Sequence, residues 1–217
     1  LWTAMADPVS FLPPAAERRP GKAEVTILAV ILVVGALLRW GYLAELRHAP
    51  DLEYPPVDAG FSLYWATGLA TGDWTLPPDA RGRDPGVGER AYMRPPGYPF
   101  VLAGLHRLTG GDPLAIRALQ MLAGLLNAAL AWLLGRLLLG PAVGLVWAAL
   151  MACQWTFVLF EGTLQDAWLL VTLLLALMLL LHAFAVTPSA TRAAAAAATA
   201  GLVALVRPNM LVVLPLL

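Results

Sequence analysis

The chain has 217 residues, of which 59% are hydrophobic and 13% charged, with a mean hydropathy of +0.72. Fourteen basic residues balance fourteen acidic ones, so the formal net charge is zero. That composition excludes an ordinary soluble domain, gives no footprint for nucleic acid, and places the chain among polytopic α-helical membrane proteins. One cysteine, Cys153, precludes a disulfide within the chain and reads as a small core residue in an apolar run. The three histidines have no metal-ligand spacing, so no zinc site is expected; His106 and His182 read as groups that satisfy local hydrogen bonds.

Residues 1–24 are polar and proline-rich and carry Arg18, Arg19 and Lys22. They read as a disordered cytoplasmic segment leading into the first crossing, 25–46. A cleaved signal peptide is the competing reading, but the apolar run is long for one and lacks a small-residue cleavage site. Arg39 is expected to snorkel to the interface beside Trp40. A long polar interval follows, 47–112, read as the first extracytoplasmic loop. Within it, 58–72 reads as a short interfacial amphipathic helix and 76–90 as a flexible, solvated connection. The apolar stretch 98–109 spans only about 18 Å at ~1.5 Å per residue, against a hydrocarbon core of about 30 Å. It is therefore expected to be a second interfacial or re-entrant helix. If it crossed instead, Asp58 and Asp166 would lie on opposite faces of the membrane.

Beyond the loop, crossings are expected at 113–138, 142–160, 167–186 and, in an Ala-rich stretch, 193–206. A sixth begins before the sequence stops, so 25–217 reads as the N-terminal part of a longer transmembrane domain. The expected fold is thus all-α and polytopic, with five to six transmembrane helices and two interfacial helices in the first loop. On a simple count the loop arginines Arg47, Arg81, Arg83, Arg90 and Arg94 weigh against a cytoplasmic N-terminus. The positive-inside tendency weakens for long loops, and the orientation is retained.

Several residues are placed to do chemistry. Asp58 sits at the water–membrane boundary, where a carboxylate can deprotonate an acceptor hydroxyl or hold a divalent cation; it equally suits a helix cap. Arg94 precedes the stiff turn Pro95-Pro96-Gly97-Tyr98-Pro99, and a guanidinium at that depth can pair bidentately with a phosphate or attract anionic headgroups. Glu161 and Asp166 flank the start of an apolar run on the same side as Asp58, as a shared acidic site or as helix-dipole partners. Arg207, between two apolar runs, is a functional candidate or a helix-end marker. Tyr64, Trp65 and Tyr98, with Trp40 and Trp74, suit either a substrate groove or an interfacial belt.

The order of these motifs says more than any one of them. Asp58-Ala59, Trp65-Ala66, Gly72-Asp73-Trp74, Arg94-Pro95-Pro96-Gly97-Tyr98-Pro99, Arg117 with Leu119-Gln120, Phe160-Glu161-Gly162 and Arg207-Pro208-Asn209 follow one another in a single chain. The sequence resembles the N-terminal half of the membrane-embedded GT-C glycosyltransferases, a group that includes protein O-mannosyltransferases and the aminoarabinose transferase of lipid A. The resemblance implies a polyprenyl-phosphate-linked sugar donor bound from the membrane lipids and transfer on the extracytoplasmic side of the cell membrane. It also implies two juxtamembrane helices in the first loop. By position, Asp58 corresponds to the loop aspartate, Asp166 to the second acidic position with Glu161 beside it, and Arg94 and Arg207 to residues that meet the donor phosphate. Many relatives carry a second acid directly after the loop aspartate, where this chain has Ala59, so a divalent cation is left open and no metal ligand is assigned. As a piece of a longer enzyme, this stretch is expected to be inactive alone. The rival classes are a transporter or lipid flippase, which predicts an internal repeat and broken helices, and a scaffold, which predicts Asp58 and Arg94 facing apart.

Overall fold

The computed structural model describes residues 19–52, 55, 57–75 and 94–212, and among them every regular element is helical. Of the 1–24 segment expected to be disordered, 1–18 lie outside the described residues, while Lys22 to Glu24 are helical and belong to the first crossing; the connection 76–90 and the sixth crossing beyond the short 3-10 turn Pro208–Val212 also lie outside them. Among the described residues, three helices are long and apolar enough to cross a membrane: α1 (Lys22–Leu46), α4 (Pro113–Leu139) and α7 (Ala167–Val186). A fourth span is divided into α5 (Pro141–Cys153) and α6 (Trp155–Gly162), which meet at 50°. Helix α8 (Ala190–Val206) is apolar and 17 residues long, about 26 Å at the usual rise. Its alanines are the best helix formers, and Ser189 caps its start by accepting the Arg192 amide at 3.2 Å.

The loop contains the two short helices expected of it. Helix α2 (Val57–Thr71) and helix α3 (Gly97–Thr109) start and stop within a residue of the sequence reading, but α2 is not the amphipathic helix expected, because its apolar residues are spread around the helix and not gathered on one face. At 13 residues α3 is about 20 Å long, short of a crossing. It packs along α2, and Arg107 secures the pair by donating to Leu69 O at 2.8 Å and Ala70 O at 3.1 Å. These carbonyls lie in the last turn of α2, where the helix itself supplies no donor. The Gly72-Asp73-Trp74 stretch folds back on the same helix. Gly72 adopts φ +81°, Asp73 Oδ1 accepts from the Thr75 amide (2.9 Å) and hydroxyl (2.7 Å), and Tyr64 donates to Trp74 O at 2.9 Å. These bonds to Thr75 hold the Asp73 carboxyl below its ordinary pKa.

Three expectations for the membrane helices are corrected. The stretch 142–160 is not one straight span: Gln154 takes an extended conformation (φ −69°, ψ 122°) and divides it. Arg39 does not snorkel; it is 2% exposed and pairs inside the bundle with Glu161. Cys153, the last residue of α5, is exposed and not a core residue; the buried residues of that helix are Gly144, Ala148 and Ala152.

The antiparallel pairing of α1 with α4 sets the two ends of the bundle. At one end Glu24 binds Arg136 at 2.9 Å and the Trp132 indole at 3.1 Å. At the other end the N-termini of α2, α3, α4 and α7 gather with the C-terminus of α8. The apolar core there includes Ala59, Ala66, Leu102, Ile116, Leu164, Trp168 and Val203. Gly97 permits the close approach of α3 to α8: a β-carbon at that position would lie 2.8 Å from the Leu205 carbonyl and the Val206 nitrogen.

Candidate active site

Above this core lies a cavity of about 390 Å³. Four of the charged residues singled out in the sequence line it: Asp58, Arg94, Asp166 and Arg207. They come from four separate places in the chain. Asp58 lies within the first turn of α2, not ahead of it as a cap, and its Oδ1 accepts from Arg94 Nη2. Arg94 enters from the proline turn before α3, with its guanidinium carbon 5.8 Å from the centre of the Phe61 ring. Its Nε is buried and has no hydrogen-bond acceptor.

Asp166 occupies the cap position of α7 but makes no side-chain bond to the helix amides. Its carboxylate instead accepts two bonds from Arg207, Nε to Oδ2 at 2.8 Å and Nη2 to Oδ1 at 3.0 Å. Arg207 follows α8 in an extended conformation, and the Asp166 carboxylate raises its already high pKa, keeping the guanidinium charged. Both acids are thus held by an arginine, yet both pairs remain open to the cavity. The Asp58 side chain is 51% exposed and that of Asp166 is 23% exposed, which makes Asp58 the more accessible carboxylate.

Tyr98 forms part of the cavity wall with its ring buried against Trp168, centroids 6.5 Å apart. Its hydroxyl meets Gln120 at 2.7 Å; with the amide oriented to satisfy all partners, Gln120 Oε1 accepts from Tyr98. Burial raises the phenol pKa, so Tyr98 is a neutral donor.

Three other expected site residues lie elsewhere. Glu161 is 3% exposed and makes a two-point pair with Arg39, Nε to Oε2 at 2.7 Å and Nη2 to Oε1 at 2.8 Å, beneath the cavity and not in its wall. Tyr64 and Trp65 are also absent from the wall; they pack in an aromatic cluster with Phe61 and Trp74. Conversely, Ser62 and Gln165 line the cavity without a signal of their own in the motifs, and so does Asn209, to which the motifs assign no role. Asn209 belongs to the Arg207-Pro208-Asn209 motif, and Gln165 stands beside Asp166 between two apolar runs, so position alone could have found both. Among the described residues, no three His, Cys, Asp or Glu side chains come close enough to share one metal ion.

The chain is thus a multi-pass helical membrane protein whose polar cavity pairs two acids with two arginines, at the end where short loop helices meet long apolar ones. A family model described as dolichyl-phosphate-mannose-protein mannosyltransferase matches residues 93–217, more than half of the chain, and the chain belongs to that family. The family comprises membrane glycosyltransferases that use polyprenyl-phosphate-linked sugar donors. No curated protein and no solved structure matches the chain.

Proposed function

We propose that this protein transfers a hexose from a polyprenyl-phosphate carrier to a hydroxyl group of an acceptor, on the extracytoplasmic face of the cell membrane. Mannose, the sugar in the family's description, is the first donor to test. The observation that carries the reading is the common cavity in which Asp58 and Asp166 each face an arginine. The transmembrane bundle belongs to the catalytic domain in this reading, with 47–112 as its first outer loop.

In this reading Arg94 and Arg207 bind the donor phosphate and stabilise the charge that grows on it as the anomeric C–O bond breaks. The buried, unpartnered Nε of Arg94 is a donor that a phosphate oxygen satisfies. As the arginines turn to the phosphate, their hold on the carboxylates relaxes. Asp58, the more exposed acid, takes the proton from the acceptor hydroxyl while the acceptor oxygen forms the new bond to the anomeric carbon. The bonding pair of the old C–O bond leaves with the polyprenyl phosphate. Asp166 orients the acceptor, and the Tyr98 hydroxyl keeps the cavity wall in place through Gln120.

Orientation follows the distribution of charge around the short connections. Arg19, Lys22, Arg136 and Arg192 lie at the end opposite the cavity, which favours a cytoplasmic location for that end. The test is sugar transfer from a polyprenyl-phosphate mannose by the full protein in native membranes. Asp58→Asn is expected to lower kcat by about 10²-fold or more, the scale of general-base catalysis. Transfer by that variant at the wild-type rate would remove Asp58 from the mechanism.

A further inference from the structure

The break between α5 and α6 is bridged by one side chain. Arg39 of α1 donates through Nη1 to Ala152 O at 2.7 Å, in the last turn of α5, and to Gly35 O at 3.0 Å. Its Nε and Nη2 grip both oxygens of Glu161 on α6. Terminal carbonyls of a helix lack intrahelical donors, and an unpaired charge in a buried position is costly, so this arrangement satisfies several groups at once. It also fixes the angle at which α6 leaves α5. The fit is close: a β-carbon at Gly124 of α4 would lie 2.0 Å from the Glu161 carboxyl carbon, and one at Gly162 would lie 2.2 Å from the Tyr42 ring.

The backbone that follows is held just as closely from α4. Gln120 Nε2 donates to Glu161 O at 3.0 Å and to Thr163 O at 3.3 Å, while Arg117 Nε donates to Gly162 O at 3.0 Å. Three consecutive carbonyls are therefore fixed by buried side chains: Arg117 is 2% exposed and Gln120 0%. Directly after them come Leu164, Gln165 and Asp166, all in the cavity wall. Gln120 also accepts from Tyr98, so the same amide ties this turn to the opposite wall.

We infer that Glu161 is a positioning residue: with Arg39, Gln120 and Arg117 it holds the α6–α7 turn so that Gln165 and Asp166 stand opposite Asp58 in the cavity. The inference rests on the proposed role of Asp166. It separates the two acids of the Glu161–Asp166 stretch, one acting on substrate and one acting through the backbone. A general contribution to folding would affect every variant alike, whereas positioning acts only through the group that is positioned.

That difference is measurable in a double-mutant cycle on the full protein in lipid nanodiscs, with polyprenyl-phosphate mannose as donor and thermal unfolding followed in parallel. Glu161→Gln is expected to lower kcat by about 10- to 100-fold, the scale on which displacements near 1 Å act. In an Asp166→Asn background the same substitution is expected to add little, because the two act as one unit. Replacing both partners together, Arg39→Met with Glu161→Met, removes the pair without leaving a buried charge; it enters the same cycle with the same expectation and serves if Glu161→Gln does not fold. An undiminished loss in the Asp166→Asn background overturns the positioning role. If Asp166→Asn alone transfers sugar at the wild-type rate, the proposed catalytic assignment of Asp166 is itself wrong, and the positioning role falls with it.

Discussion

Substituting Gly97 by alanine tests how closely the two walls of the cavity must meet. The added β-carbon would lie 2.8 Å from three backbone atoms, the carbonyl carbon and oxygen of Leu205 and the nitrogen of Val206. Backbone cannot rotate away as a flexible side chain can, so α3 and α8 must separate. Reaching ordinary contact at about 3.4 Å requires a shift of roughly 0.6 Å, which moves the Arg94 turn and Tyr98 away from Arg207. Overpacking of this kind costs about 1–3 kcal/mol of stability. A site that depends on reacting groups being placed to within an ångström should lose more in rate, on the order of 10-fold or greater. Steady-state transfer from polyprenyl-phosphate mannose, read together with a melting curve in detergent, separates the two effects. Full activity with an unchanged melting temperature would refute the claim that α3 and α8 jointly shape the cavity.

Gly124→Ala places a β-carbon 2.0 Å from the Glu161 carboxyl carbon, so it is expected to displace Glu161 from Arg39. Breaking such a buried pair costs about 3–5 kcal/mol, which a thermal shift or the yield of monodisperse protein would register. Tyr98→Phe leaves Gln120 Oε1 without its donor and should cost about 1–3 kcal/mol. The raised phenol pKa adds a pH signature. Burial makes the folded state hold this proton more tightly than the unfolded one, so the contribution is complete below the unfolded tyrosine pKa and lost as pH rises toward the folded value. Alkaline unfolding scans should accordingly show a smaller loss of stability in Tyr98→Phe than in the wild type.

Much of the fold follows from length and hydropathy. A 13-residue apolar helix cannot reach across a bilayer whatever its neighbours do, so reading α3 as a loop helix was a matter of arithmetic. The gathering of Asp58, Arg94, Asp166 and Arg207 followed from that one decision, because it put the ends of α2, α3, α7 and α8 on the same side. Arg39 shows where such reasoning stops. An arginine seven residues from the end of an apolar helix can reach the headgroups or turn inward, and the choice depends on a carboxylate 122 positions away. Glu161 carried the complementary ambiguity: near a helix end and beside Asp166 it resembled a site residue, while its partner was invisible in a local window. The break at Gln154 has no proline or glycine to announce it. Hydropathy averages over such a bend, so the straight span expected for 142–160 came apart in the structure.

The same break is a feature the transporter reading expected, but its polar groups are taken up by the Arg39–Glu161 pair and stand apart from the cavity wall. Facing acids and arginines likewise contradict the scaffold reading, in which Asp58 and Arg94 point apart.

In the proposed mechanism one cavity receives the donor phosphate between Arg94 and Arg207 while Asp58 and Asp166 face the acceptor. A structure of the full protein in nanodiscs, bound to a non-hydrolysable polyprenyl-phosphate mannose analogue, tests it most directly. Phosphate oxygens are expected within hydrogen-bonding distance of both guanidinium groups, with the Arg94–Asp58 pair opened and the sugar directed toward Asp58. A phosphate seated outside this cavity, with both ion pairs intact, would contradict it.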